Sequence, residues 1–207
     1  MALTLHYHPF SRAAGTIWAL EEAGVDYELQ FVDLMAGKHK TPEFKQVNPM
    51  TKLPTLVDGD VVVTEAAAIA LYLADRYALD RLAPAPTSPE RGTYLRWSLY
   101  APSVIEPGCM AKGANWEVKS GTAGWGRYED MLDTIEAAIG EGPYLLGERF
   151  SMADVIFGGT LRWMLQFDML EKRPAFTRYV QRLGERPALQ KAGEINAAQV
   201  KEHGLSQ

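Results

Sequence analysis

The segment Tyr7-His8-Pro9-Phe10-Ser11-Arg12 brings three groups able to stabilise an anion into one corner of the chain. Ser11 offers a hydroxyl, Tyr7 a phenol and Arg12 a permanent positive charge. Leu3 to Tyr7 alternates as a short strand and Pro9 breaks it. Ile17, Trp18, Leu20 and Glu21 then recur at helical spacing up to Gly24, so the corner is a strand-to-helix turn. A helix N-terminus favours negative charge, and a hydroxyl beside it adds a directed donor. Ser11 has a competing task as the N-cap of that helix, and one hydroxyl would have to serve both. Tyr7 either donates or packs, and Arg12 either supplies charge or pairs at the surface.

A second constellation runs from Asn48 to Tyr72, NPMTKLPTLVDGDVVVTEAAAIALY. It reads as a loop bent at Pro49, a strand from Thr55 to Val57, an Asp58-Gly59 turn, a strand from Val61 to Val63, and a helix opened by Thr64 and Glu65. Pro54 cannot donate to a ladder and keeps Leu53 extended, so the Leu53 backbone is held open at a sheet edge beside the helix start. That is a shape for receiving an extended peptide. Its backbone would pair with the N–H and C=O of Leu53, its anionic end would meet the amides opening the helix, and Glu65 would take an ammonium.

Composition narrows the chemistry. At 207 residues and 47% hydrophobic content the chain can bury one large core or two modest ones. A net charge of −5 gives no footprint for nucleic acid. The single cysteine, Cys109, excludes an intramolecular disulfide framework and reads as a small buried residue. With no cysteine in Pro9-Phe10-Ser11-Arg12-Ala13-Ala14, a disulfide reductase using a protein thiol at this corner is disfavoured. His6, His8, His39 and His203 show no metal-ligand spacing. The start has no apolar core of signal-peptide length, and no apolar run approaches the roughly 18 residues of a membrane span. A soluble protein of a reducing compartment is expected, with no membrane partner.

Strand, helix and strand (Tyr27 to Val32) make a βαβ crossover with parallel strands, followed by a helical turn or two over Thr41 to Val47 and the ββα constellation above. This is the element order of a thioredoxin-like α/β domain, placed over residues 1–80. Three prolines within Leu82 to Pro89 read as a linker, set at 81–88. Strand signals vanish beyond it, so 89–207 is expected to be all-α. A long helical segment runs from Pro89 to about Lys112, bent near Pro102 and Pro107. An amphipathic helix spans Tyr128 to Ile139, another helix spans Pro174 to Leu183, and a polar tail from Ala192 is expected to fray. Ser151 and Asp154 have the spacing of a capping box, with Phe150 placed to staple onto Val155.

NPMTKLPTL followed by TEAAAIALYL resembles the glutathione-binding half of cytosolic glutathione transferases. Tyr7-His8-Pro9-Phe10-Ser11 resembles the start of their serine-type members, and the FSMADV string resembles the capping box of their helical domain. The resemblance covers nearly the whole chain and implies the glutathione transferase fold. It implies that Ser11 activates the thiol, with Tyr7 and Arg12 as further candidates. Arg12 falls where cysteine-type bacterial members carry their cysteine, which removes mixed-disulfide chemistry of that kind. Glutathione would then be held by the Leu53 backbone, by Pro54 as a cis-proline, by Glu65 at the γ-glutamyl end, and by Lys52 at the glycyl carboxylate unless that lysine is merely solvated. Ala66 departs from the family, which has Ser or Thr there. Its N–H survives but the hydroxyl is lost, and one such bond is worth about 1.5–3 kcal/mol, so weaker glutathione binding is expected.

The implied second-substrate pocket is lined by His8, Phe10, Trp97, Tyr100, Val104 and Met110. The expected activity is attack of bound glutathione thiolate on a small hydrophobic electrophile. Glutathione is a co-substrate there, with no further cofactor and no metal. A cytoplasmic homodimer serving detoxification is implied as well. Two alternatives stay open: a catalytically weak glutathione-binding interaction module, and a glutathione-dependent peroxidase or dehalogenase.

Overall fold

The computed structural model of the chain describes residues 3–119, 121–140 and 142–206. Its first unit begins with β1 (Leu3–Tyr7), α1 (Ala13–Ala23) and β2 (Tyr27–Phe31). Gly24 ends α1 at φ 68°, in the left-handed region where glycine carries no penalty, and its N–H returns to the Leu20 and Glu21 carbonyls. A 3₁₀ turn at Lys38–Lys40 leads into α2 (Pro42–Val47), whose first turn is capped by the Thr41 hydroxyl accepting the Phe44 N–H at 3.3 Å. Then come β3 (Thr55–Asp58), β4 (Val61–Thr64) and α3 (Ala66–Tyr77).

The four strands lie in the order β2-β1-β3-β4, with β1 parallel to β2 and β3 antiparallel to both β1 and β4. The Asp58–Val61 pair closes the β3–β4 hairpin around Gly59 and Asp60, and Gly59 supplies the positive φ (59°) that such turns require. Leu3, Leu5 and Tyr7 are buried on one face of β1, and Leu56, Ile17, Leu20, Ile69 and Leu73 complete the core there. This is the expected thioredoxin-like arrangement.

The second unit spans Leu79–Glu185 and is all-helical. It contains α4 (Glu90–Tyr100), a π-helical turn at Ala101–Ile105, α5 (Glu106–Gly113), α6 (Tyr128–Ile139), α7 (Met152–Gln166) and α8 (Pro174–Gly184). The expected bend near Pro102 is that π turn, the local widening by which a helix absorbs a residue lacking an N–H. Asp154 is fully buried and organises this unit. Its carboxylate accepts the Ser151 N–H (2.9 Å) and hydroxyl (3.0 Å), the Leu145 N–H (2.8 Å) and the Tyr179 hydroxyl (2.9 Å). The sequence pattern there therefore serves folding: one carboxylate starts α7, fixes the preceding loop and ties down α8. The Phe150 ring packs edge-on against Tyr144, with centroids 5.2 Å apart.

Two expectations about organisation are corrected. The proline-rich stretch 81–88 is a packed strap of the second unit. Leu82, Ala83 and Pro84 are buried, the Met152 N–H donates to the Leu82 carbonyl at 2.7 Å, and Arg91 donates to the Pro84 carbonyl at 2.9 Å. The tail does not fray: α9 (Pro187–Glu202) is a full helix, and the chain from Arg186 onward belongs to the first unit. Its ties there are specific. Arg186 grips the buried Glu22 carboxylate through Nε (2.5 Å) and Nη2 (2.7 Å), Lys191 pairs with Glu21 at 2.7 Å, and the Tyr7 hydroxyl donates to Asn196 Oδ1.

Candidate functional site

Strand register brings the two constellations together. His6 pairs with Thr55, and Thr55 pairs in turn with Thr64. Because β3 runs antiparallel to both neighbours, the chain leaving β1, the chain entering β3 and the chain leaving β4 all emerge at the same end of the sheet. Ser11, Leu53-Pro54 and Glu65-Ala66 are therefore neighbours by topology.

The loop entering β3 is knitted from within. Asn48, buried at the end of α2, donates from Nδ2 to the Lys52 carbonyl (2.9 Å) and to Thr55 Oγ1 (3.0 Å), and its Oδ1 accepts the Met50 N–H (3.0 Å). Those bonds carry the chain through Thr51, at φ 56°, and present Leu53 ahead of Pro54 across a cis peptide bond. The β3 ladder begins only at Thr55, two residues beyond Leu53. Lys52 is exposed at the lip of this loop.

Helix α3 starts abruptly. Thr64 is the last residue of β4, and Glu65 is the N-cap with φ 67° and ψ 119°, a backbone conformation that a residue bearing a Cβ rarely adopts. Such outliers cost about 1–3 kcal/mol and persist where the surroundings impose them, commonly at ligand clamps. Among the described residues no side chain caps α3. Its first-turn amides, starting at the exposed Ala66, are unpaired within the helix by geometry and face the end where Leu53 lies.

At the third corner, Ser11 is half-buried, one residue before the N-cap of α1, which is Arg12. Its hydroxyl donates to the His8 carbonyl at 2.8 Å and accepts the Ala13 N–H at 3.2 Å. The expected competition is thus present in a modified form: the hydroxyl serves the turn before the helix, and its proton is held by a carbonyl. Arg12 is half-buried at the same corner.

Two expected site residues are corrected. Tyr7 is fully buried, its hydroxyl donates to Asn196 Oδ1 on α9, and burial drives its pKa far up, so the phenol is engaged with α9. His8 is only 2% exposed, covered by Phe31 and the edge of Phe10, and cannot line an open pocket. Phe10 itself is 41% exposed. In the second unit Trp97 is buried in the core against Phe157 and Tyr100, whereas Tyr100 and Val104 are half-buried and Met110 is exposed. Cys109 is buried, and burial aided by Glu106 pushes its thiol to about 11.

Sequence reasoning passed over one feature, the basic run Lys38-His39-Lys40 that forms the 3₁₀ turn packed on α2. His39 Nδ1 is buried there without a hydrogen-bond partner among the described residues. Three consecutive basic side chains before a short helix were the available signal. Among the described residues no group of three His, Cys, Asp or Glu side chains is arranged to hold a metal.

The first unit is thus a four-stranded α/β layer with a cis-proline loop at the sheet end where α3 starts, and the second unit is helical. Comparison with known proteins makes this specific. Residues 1–75 match the N-terminal domain model of glutathione S-transferases, and residues 119–182 match a C-terminal domain model of the same family. Glutathione S-transferase F10 of Arabidopsis thaliana is 30% identical over 168 residues, covering 75% of this chain and 77% of that protein. The crystal structure of glutathione transferase URE2P6 from Phanerochaete chrysosporium in complex with oxidized glutathione superposes with a TM-score of 0.78. It is 29% identical and covers 95% of this chain and 97% of that one. A glutathione transferase from Methylococcus capsulatus gives a TM-score of 0.76 at 30% identity, over 95% of this chain and 100% of that one. The chain belongs to the glutathione S-transferase family.

Proposed function

We propose that the chain binds glutathione across the sheet end formed by Ser11, Leu53 and Ala66, and ionises its thiol for attack on a small, mostly apolar electrophile. The observation that carries this reading is the His6–Thr55–Thr64 register, which gathers the hydroxyl, the open peptide edge and the uncapped helix start at one place. In this reading the cysteinyl backbone pairs with Leu53 and the γ-glutamyl carboxylate meets the α3 amides. Glu65 takes the ammonium, and Lys52 with the Lys38–Lys40 run balances the glycyl carboxylate.

The chemical problem is the thiol. At an ordinary pKa near 8.5, only a few per cent is thiolate at pH 7. A hydroxyl donor to the sulfur anion, worth about 1.5–3 kcal/mol, lowers that pKa by about one to two units. Ser11 fills the role by turning its proton from the His8 carbonyl to the sulfur, and Arg12 and the α1 N-terminus add favourable potential. The sulfur attacks the electrophile, the leaving group departs or the addition product takes a proton from water, and the conjugate leaves. Phe10, exposed next to Ser11 in the chain, offers apolar surface for the electrophile. A homodimer in the cytoplasm, engaged in detoxification, is the assembly and setting we assign by analogy with the family. Light scattering on the purified chain tests the dimer.

Ala66 favours a second reading, a glutathione-binding module with little turnover, because the clamp lacks its hydroxyl. Isothermal titration with glutathione, paired with a conjugation assay on chlorodinitrobenzene for the wild type and Ser11→Ala, separates the two. Binding kept and conjugation cut by at least about tenfold in the variant supports the transferase. Binding without conjugation in either protein supports the module.

A further inference from the structure

His8 has no part in the reaction above, yet it is buried and its carbonyl accepts the Ser11 hydroxyl. Its Nδ1 accepts the Phe10 N–H at 3.1 Å, closing the turn two residues ahead as Asn and Asp side chains do in Asx-turns. Accepting there fixes the tautomer, with Nδ1 bare and the proton on Nε2. Nε2 has no hydrogen-bond partner among the described residues, so the ring is held by the Nδ1 bond and by stacking on Phe31 at 5.4 Å. The same residue's carbonyl receives both the Ser11 N–H (3.1 Å) and the Ser11 hydroxyl (2.8 Å). One residue thus ties down the chain on both sides of Pro9.

We infer that His8 is a positioning residue for Ser11: its neutral imidazole closes the Tyr7–Ser11 turn and so fixes the carbonyl that holds the Ser11 hydroxyl ready for the sulfur. The inference rests on the reading of Ser11 as the thiol activator. It carries a pH consequence. Protonating Nδ1 sets a donor against the Phe10 N–H and opens the turn, so acid disables activation independently of the thiol's own titration. Among the described residues, Asp33, after β2, favours its protonation, and His203, after α9 and stacked on Phe31 at 3.6 Å, opposes it. Burial outweighs both and holds the imidazole below its ordinary value, so the turn stays closed at neutral pH.

The test compares wild type, His8→Asn, His8→Ala and Ser11→Ala, all as full chains. Asn supplies an acceptor oxygen in the Asx-turn position without a titrating group. His8→Ala is expected to raise the thiol pKa of bound glutathione by about one unit while leaving its Kd within about threefold. His8→Asn is expected to keep the wild-type thiol pKa. The wild-type kcat/KM is expected to fall on the acid side with two ionisations, and that of His8→Asn with one. An unshifted thiol in His8→Ala beside a shifted one in Ser11→Ala overturns the His8 inference alone. So does a wild-type acid limb identical to that of His8→Asn, a comparison that holds even if His8→Ala does not fold. An unshifted thiol in Ser11→Ala overturns the Ser11 reading and the inference with it.

Discussion

In the proposed reading, two single side chains, Ser11 and Ala66, govern thiol activation and glutathione affinity. The Ser11 proton lies on the His8 carbonyl at 2.8 Å, so activating a thiol means exchanging a neutral acceptor for an anionic one, which is favourable because hydrogen bonds to charged groups are stronger. At Ala66 the first residue of α3 carries no hydroxyl. Ala66→Ser places a hydroxyl at the first position of α3, where the site is exposed and nothing needs to move. Glutathione affinity is expected to rise by about tenfold or more, read by isothermal titration. Cys109 lies at the other extreme. With its thiol pushed to about 11, the thiolate fraction at neutral pH is negligible, and a disulfide reagent should titrate one thiol only after denaturation. Ser11 was legible as a hydroxyl at a helix start, whereas the task of His8 was not. A two-residue side-chain closure leaves no periodic trace, and sequence alone places that histidine merely beside a pocket.

At the scale of elements, short-range chemistry was legible wherever a residue acts on its near neighbours. The Asp-Gly hairpin, the α1 glycine stop and the Ser151–Asp154 box all follow from bonds within a few positions. The burial of the proline-rich strap was not, since its cause is remote: the Met152 N–H, dozens of residues onward, takes the Leu82 carbonyl. Remote packing also explains Gly158. A Cβ added there would stand 2.1 Å from Leu183 Cδ1 and 3.3 Å from Tyr179 Cε1, on the face where α7 meets α8. Gly158→Ala improves helix propensity by about 1 kcal/mol but forces a buried leucine aside, so overpacking of about 1–3 kcal/mol wins. A lowered denaturation midpoint for this variant is expected, and an unchanged or raised one would contradict the assigned α7–α8 contact.

For the whole molecule, the chain ends by returning to the unit in which it began. The tail from Ala192 reads as a fraying end because it is polar, and among the described residues of α9 only Ala192 is buried. Its attachment is polar, through Arg186 to Glu22, Lys191 to Glu21 and Asn196 to Tyr7. Hydrophobic periodicity does not report such contacts. Arg186→Ala leaves the Glu22 carboxylate, 5% exposed, without its bidentate partner. Breaking a buried pair from one side costs about 3–5 kcal/mol, to be read as a fall in chemical denaturation stability. Because α9 packs on α1 and α1 begins beside Ser11, the same variant is expected to lose conjugation activity at temperatures where the wild type keeps it.

Ionisation of bound glutathione by Ser11 is read most directly from the thiolate absorbance of the glutathione complex as a function of pH, for the wild type and Ser11→Ala. The wild-type thiol is expected to titrate about one to two units below its free value, with the variant returning to that value. Saturating glutathione that titrates at its free value in both proteins would contradict the account and leave a binding module in its place.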